Sequence, residues 1–110
     1  MSLSNEQWIF IQDVAKLIIY AKNAGYKLTG GELYRTSYQQ REYLRTGKSK
    51  TLRSKHLRRL AIDLNIFING KLTYEPNDIR LLGEYWERLN SKNVWGGSWG
   101  WDAGHFERNV

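Results

Sequence analysis

The sequence predicts an α+β domain in which a small antiparallel sheet packs with about three helices, and three observations carry that reading. Helices are read in three separate stretches, near the start, before the middle and after it, the first and last from apolar residues at helical spacing. Between the later two, Leu60, Ile62, Leu64, Ile66 and Ile68 alternate with Ala61, Asp63, Asn65, Phe67 and Asn69, the period of a strand with one buried face. Asn69-Gly70 then supplies a two-residue hairpin turn, returning through Lys71-Leu72-Thr73-Tyr74.

Taken in order, Ser4 followed by Gln7 is a capping-box pattern that opens the first helix. Trp8, Ile11, Ala15, Ile18 and Ile19 give it an inward stripe, widened by Val14 and Leu17, and Gly25 after Asn23-Ala24 suits a left-handed C-cap. A short extended piece at about Lys27–Leu33 follows, bent or bulged at Gly30-Gly31. The second helix is expected from about Ser37 to Thr46, stopped by Gly47, with a basic loop from Lys48 to Lys55. After the hairpin, a third helix runs roughly Asp78–Asn90, capped by Asn77, with Leu81, Leu82, Tyr85, Trp86 and Leu89 inward. Val94-Trp95-Gly96-Gly97 and His105-Phe106-Glu107 read as strand and loop closing the sheet.

The 110 residues suffice for one domain, and a hydrophobic fraction of 41% with five Trp and seven Tyr can build its core. Lack of cysteine excludes disulfides, thiolate metal sites and a Cys nucleophile. The amino terminus lacks a basic region, and the apolar stretch after it is broken by Asp13 and Lys16, so neither a signal peptide nor a membrane span is expected. A net charge of +6 favours acidic partners, and much of it lies in Arg41, Arg45, Lys48, Lys50, Arg53, Lys55, Arg58 and Arg59. That run reads as a solvated face, as a surface for an anionic polymer, or as a nucleic-acid site with Tyr38, Tyr43 and His56 interleaved.

The candidate chemistry lies in four residues, His56, Asp63, Asp102 and His105, which include both histidines of the chain. Two imidazoles and a carboxylate can hold a zinc ion at three corners of a tetrahedron and leave the fourth for water, from which a further carboxylate takes a proton. Asp63 shares its strand face with Ala61 and Asn65, opposite the aliphatic face. Glu107 falls on the side of His105 if that segment is extended, so it competes with Asp102 as base or else orients an imidazole. Trp99 and Trp101, flanking Gly100, are candidates to wall a substrate cleft, whereas Trp95 suits the core.

These segments resemble the M15 family of zinc peptidases, which includes D-alanyl-D-alanine carboxypeptidases and dipeptidases and phage L-alanyl-D-glutamate endolysins. Ser54-Lys55-His56 with Ala61-Ile62-Asp63-Leu64 resembles that family's first motif, with Asp seven positions after His. Trp95-Gly96-Gly97 with Asp102-Ala103-Gly104-His105 resembles the second, and Arg35 with Gln40 matches an upstream Arg-Gln pair. One departure is Arg59, where the family usually has Gly three residues after the first His. The resemblance implies zinc held by His56, Asp63 and His105, Asp102 as general base, and Arg35 stabilising the oxyanion. Gln40 and Ser54 then join Trp99 and Trp101 on the substrate side.

The implied activity is hydrolysis of a bond in peptidoglycan stem peptides. Asp rather than Glu at position 102 resembles the endolysins, which points to an L-Ala-D-Glu endopeptidase of phage or bacterial origin, with D-Ala-D-Ala carboxypeptidase as the alternative within the family. On this reading the protein is made in the cytoplasm and reaches the wall after release or with another component's help, and the basic loop gives affinity for anionic wall polymers. A non-catalytic nucleic-acid-binding module is the alternative from another class. It leaves Asp63, Asp102 and Glu107 unexplained, since carboxylates repel phosphate. A third reading keeps the fold with a purely structural metal.

Overall fold

A computed structural model describes residues 1–49 and 54–110. Helix α1 (Leu3–Asn23) leads into strand β1 (Lys27–Gly30) and helix α2 (Ser37–Thr46). A 3₁₀ turn (Lys55–Arg58) precedes the central strand β2 (Ala61–Ile68), which returns through β3 (Lys71–Thr73) to helix α3 (Pro76–Leu89). Strand β4 (Asn93–Trp95), a second 3₁₀ turn (Gly96–Trp99) and β5 (His105–Arg108) complete the chain. The fold class is the α+β arrangement that the sequence predicts. Among the described residues no helix is long and apolar enough to cross a membrane.

The sheet runs β1-β2-β5-β4 with β3 beside β2, and all pairings are antiparallel. Strand β2 is its axis. Along one edge β1 pairs from Lys27↔Phe67 to Gly30↔Leu64, while β3 and β5 share the other edge, with Asp63 opposite His105. The Asn69-Gly70 turn has φ of 52° and 80°, both positive as a type I′ hairpin turn requires. Beyond Gly30 the chain leaves the sheet while still following β2: Gly31 N–H donates to the Asp63 carbonyl and Asp63 N–H to that of Glu32, at 2.9 and 2.8 Å.

The core lies between this sheet and the two long helices. Phe10, Val14, Leu17 and Ala21 of α1 meet Ile79, Leu82 and Trp86 of α3, with Leu64, Ile66, Trp95 and Phe106 from the strands. Trp86 is its centre, edge-on to Phe10 at 5.7 Å and to Phe106 at 5.9 Å. The indole N–H satisfies itself on the Val94 and Glu107 carbonyls.

Two helical faces differ from the sequence reading. In α1 the buried stripe is Phe10, Val14, Leu17 and Ala21, whereas Trp8, Ile11, Ala15, Ile18 and Ile19 are exposed. The register is set by two acids on the buried face, because remote strands supply their partners. Glu6 accepts from Arg108 at 2.9 Å and Asp13 from Asn93 at 3.1 Å. The cap of α1 is Ser2, which accepts from Asn5 N–H, instead of Ser4. In α3 the helix starts at Pro76, a residue suited to the first turn because its missing N–H is not needed there. Asn77 therefore lies inside α3, Leu81 is exposed, and Ile79 and Gly83 join the inner face.

Gly83 is there because the Trp95 ring lies against it. A Cβ at that position would stand 2.0 Å from the indole, and one at Gly97 would stand 2.1 Å from the same ring. Alanine ordinarily improves a helix interior by about 1 kcal/mol over glycine. Gly83→Ala is nevertheless expected to lose about 1–3 kcal/mol of stability through overpacking, read by urea denaturation. An unchanged or raised midpoint would contradict a fixed indole.

Candidate active site

The site is assembled at the start of β2, where three elements bring short side chains together. Ser54 caps the 3₁₀ turn, its Oγ accepting the His56 N–H at 3.2 Å. This turn holds the buried His56 over Asp63. The turn closes on Arg59, whose φ of 55° is left-handed. Arg59 thus adopts the conformation that a glycine would take with less strain. Its guanidinium stacks on Tyr34 at 4.1 Å. From the other edge, β5 places His105 directly across from Asp63.

His56, Asp63 and His105 present ligand atoms that all lie within 4.8 Å of one another. His56 Nε2 is 3.2 Å from Asp63 Oδ2, and His105 Nδ1 is 3.0 Å from Asp63 Oδ1. The remaining nitrogens are fixed from behind: His56 Nδ1 faces the Leu33 carbonyl at 2.9 Å, and His105 Nε2 faces Glu107 Oε1 at 2.8 Å. A carbonyl or carboxylate can only accept, so each of those nitrogens carries a proton. In a neutral ring the lone pair of His56 Nε2 then aims at Asp63, whereas His105 Nδ1, which also faces a carboxylate, donates a second proton to Asp63 Oδ1 in the metal-free protein.

His56 Nε2 is buried and makes no hydrogen bond among the described residues, despite its closeness to a carboxylate oxygen. A lone pair directed at an oxygen lone pair is unfavourable, and a cation between them relieves both. The donor set of two imidazoles and a carboxylate, with one ligand position left for water, suits zinc. Asp102 stands just outside this set, its Oδ2 3.9 Å from His105 Nδ1.

Electrostatics follow from the packing. Burial opposes the charged form of Asp63, yet the imidazoles of His105 and His56 outweigh it and hold the carboxyl well below its ordinary range. Burial likewise opposes a charged His105, but Asp63 and Glu107 on its two nitrogens raise its pKa to about 9. Asp102 is pushed upward by burial, with the Asp63 charge adding to it against the pull of His105.

A cleft of about 320 Å³ opens over these groups, lined also by Arg35, Ser54, Lys48, Lys55, Trp99 and Trp101. Trp99 and Trp101 are exposed and 6.0 Å apart, and the Trp99 ring lies 5.4 Å from that of His105. Gly96 lets this segment pass the site closely, since a Cβ there would meet the Asp102 carbonyl oxygen at 2.2 Å. Gln40 does not line the cleft. It sits buried behind Arg35, accepting from Nη1 at 2.6 Å, while Ser54 Oγ accepts from the same nitrogen at 3.2 Å.

Sequence reasoning missed Glu32, and it gave Tyr43 only to the nucleic-acid alternative. Glu32 pairs with Arg35 Nε and also accepts from the Tyr43 hydroxyl at 2.9 Å, and the guanidinium lies over the Tyr43 ring at 4.6 Å. None of these bonds uses Arg35 Nη2. Glu32 precedes Arg35 by three residues outside any helix, so no periodic signal marked the pair. Of the basic stretch, Lys50 and Arg53 lie outside the described residues, and Arg45 pairs with Glu42. Burial of His56 removes it from any stacking surface for bases.

Comparison with known proteins gives a consistent result. The chain resembles the crystal structure of the Serratia marcescens L-Ala D-Glu endopeptidase ChiX with a TM-score of 0.70 and 26% identity, over 96% of this chain and 85% of that one. It also shares its fold with the D,D-pentapeptidase VanY of a VanB-type vancomycin resistance cassette, solved as an E175A mutant with Zn(II). That TM-score is 0.60 at 16% identity, over 92% of this chain and 71% of that one. No curated protein matches the chain. The M15 peptidase group described as D-alanyl-D-alanine carboxypeptidase matches residues 47–108, more than half of the chain and the part that carries His56, Asp63, Asp102 and His105, so the chain belongs to the M15 family of peptidases.

Proposed function

We propose that this protein is a zinc-dependent peptidase that hydrolyses the L-Ala-D-Glu bond of peptidoglycan stem peptides, with His56, Asp63 and His105 as zinc ligands. The observation that carries the metal assignment is the buried, unpartnered His56 Nε2 aimed at Asp63 beside His105 Nδ1. The likeness to ChiX over nearly the whole chain favours the endopeptidase bond. Zinc, when bound, supplies Lewis acidity and makes water acidic enough to serve as a nucleophile near neutral pH.

The chain's own residues do the rest. Asp102, at the edge of the ligand set, takes the proton of the attacking water and later passes it to the leaving amine. Its upward-shifted pKa suits a group that must hold that proton between the two steps. Arg35, clamped by Glu32, Gln40 and Ser54, presents a fixed positive charge at the cleft where the carbonyl oxygen becomes negative. Trp99 and Trp101 flank the substrate, and Lys48 and Lys55 favour the approach of an anionic wall segment.

Mass spectrometry of purified peptidoglycan digested by the zinc-loaded protein, beside a chelator-treated control, tests the reading. A new chelator-sensitive amine at D-Glu is expected. Loss of a terminal D-Ala would instead assign the carboxypeptidase reaction, which the matching group's description favours. Unchanged muropeptides from several wall chemistries would leave a structural metal and reject the enzyme.

The metal assignment has its own readout. His105, with a pKa raised to about 9 in the metal-free protein, holds at neutral pH a proton that zinc must displace. Calorimetry in buffers of differing ionisation enthalpy should therefore show release of about one proton per zinc at pH 7. Below pH 9 the apparent affinity should rise with pH, because the competing proton leaves as pH climbs through the raised pKa. Zinc uptake without proton release would show either that His105 is neutral before the metal binds or that it is not a ligand, and His105→Ala, which should lose zinc only if it is one, separates the two.

A further inference from the structure

Arg35 is held by more groups than a charge pair requires. The residue is buried, with Nε on Glu32 and Nη1 between Gln40 and Ser54. Only Nη2 makes no hydrogen bond among the described residues, in a side chain that lines the cleft. Glu32 is itself fixed at both ends. Its carbonyl accepts the Asp63 N–H at 2.8 Å, and its Oε2 accepts from the Tyr43 hydroxyl at 2.9 Å. Tyr43, on α2, closes the circuit, because the guanidinium lies over its ring at 4.6 Å. We propose, on the peptidase reading above, that Glu32 and Tyr43 are positioning residues, a closed triangle that aims the Nη2 edge of Arg35 at the carbonyl oxygen of the bound peptide.

Each side of the triangle removes a different freedom. The Nε contact with Glu32 fixes the guanidinium within its own plane, and stacking on Tyr43 fixes the tilt of that plane. The Tyr43 hydroxyl keeps Glu32 from following Arg35 if it moves. Its hydrogen bond to Glu32 raises the Tyr43 pKa above the ordinary value, so the hydroxyl keeps its proton and stays the donor at neutral pH. The frame of reference is the metal-ligand strand itself. Gly31 brings the segment against β2, since a Cβ there would stand 2.4 Å from the Asp63 carbonyl oxygen. Arg35 N–H also donates to the His56 carbonyl at 3.3 Å. A donor so fixed stabilises developing charge without having to reorganise.

Two effects of Glu32 oppose each other, and their balance makes the role measurable. As an anion beside Arg35, Glu32 weakens the positive field where the carbonyl oxygen becomes negative. If it served only to neutralise a buried guanidinium, Glu32→Gln would strengthen that field, and turnover would hold or rise. If it positions Arg35, loss of aim dominates, because a misplacement of about 1 Å can cost about 10²-fold.

Steady-state kinetics of the zinc-loaded protein on a stem peptide tests this, with circular dichroism establishing that the variants fold. Glu32→Gln should lower kcat about 10–100-fold and Tyr43→Phe about 3–10-fold, with KM and zinc affinity within about twofold of wild type. In an Arg35→Ala background, itself about 10²–10³-fold slower, neither substitution should cost more, because its target is gone. A Glu32→Gln kcat at or above wild type, or losses that multiply with that of Arg35→Ala, would overturn the proposal. Nitrogen NMR of the Arg35 side chain, assigned by its absence from Arg35→Lys, needs no turnover. The Nε–H of wild type should exchange slowly, and Tyr43→Phe should speed that exchange at least about 5-fold, the worth of one hydrogen bond. A guanidinium already mobile in wild type, or equally immobile without the hydroxyl, rules the triangle out. Wild-type protein that binds zinc and cuts no wall peptide refutes the peptidase reading instead, and the NMR result alone then decides whether the triangle holds Arg35.

Discussion

Replacing His56 with alanine is expected to abolish zinc binding and peptide hydrolysis together. The side chain is almost fully buried, and its Nε2 has no alternative partner among the described residues. An outer partner of a metal ligand typically contributes about 10–100-fold to affinity, so loss of a ligand itself should exceed about 100-fold. Glu107→Gln supplies the graded companion. It keeps the volume but weakens the hold on His105 Nε2, and a loss of about 10–100-fold in zinc affinity is expected. Zinc titration followed by calorimetry separates the two, with circular dichroism establishing that both variants fold. A His56→Ala protein that binds zinc normally would refute the proposed ligand set.

Asp102→Ala should separate what His56→Ala joins. Asp102 lies 3.9 Å from His105 Nδ1 and stands beside the three-ligand set, so zinc should still bind. Turnover should fall by about 10²–10⁴-fold, the usual contribution of a positioned general base. The loss should appear in kcat, because the carboxylate acts on the reacting water and leaves the peptide-binding walls intact. If Asp102→Ala stays fully active, Glu107 becomes the base by elimination, and Glu107→Gln would then lose turnover at saturating zinc. If Asp102→Ala also loses zinc, the carboxylate belongs to the metal's own ligand set.

What could be read from the sequence, and what could not, follows from how local each signal is. The alternation from Leu60 to Ile68 and the Asn69-Gly70 turn depend on neighbouring residues alone, and the strand and turn they predict are present, although Ala61 on the expected open face is buried and Ile62 and Ile68 are only half-buried. Helix α1 shows the opposite case. It carries two apolar stripes, and periodicity gives no reason to bury one over the other. The choice is made by Arg108 and Asn93, which lie far along the chain and meet Glu6 and Asp13 on the buried face. The sequence reading picked the stripe richer in Ile and Trp, and that is the exposed one.

The site divides along the same line. His56, Asp63, Asp102 and His105 were singled out as residue types suited to the chemistry; the β2–β5 register sets Asp63 against His105, the turn before β2 brings His56 to them, and Asp102 stands just outside the set. Arg35 stood out by its motif, yet Glu32, three residues before it in a non-helical segment, and Tyr43, in the helix that follows, fix it through a local geometry that no periodic pattern marks. The Trp95-Gly96-Gly97 motif has a packing cause that sequence alone does not show. Gly97 and Gly83 clear space for one indole, and Gly96 clears space for Asp102 and His105. Arg59 shows that the loop after His56 needs a left-handed residue at this point and tolerates one with a side chain.

The clamping of Asp63 bears on which ions the protein would select. Its N–H and C=O are both engaged by the Gly31-Glu32 segment, and its carboxylate lies between two imidazoles held from behind by Leu33 and Glu107. A site so fixed has little freedom to enlarge. Calcium, which needs six to eight oxygens at about 2.3–2.6 Å, finds one carboxylate and two nitrogens, and magnesium would have to shed tightly held water for soft donors. Both abundant hard cations would thus be turned away by donor type and rigidity together if the proposed site holds a metal. Copper and nickel are not excluded by that filter, because imidazole suits them as well as zinc. Discrimination against those two would fall to the supply of metal around the protein, since the cradle itself offers them no obstacle.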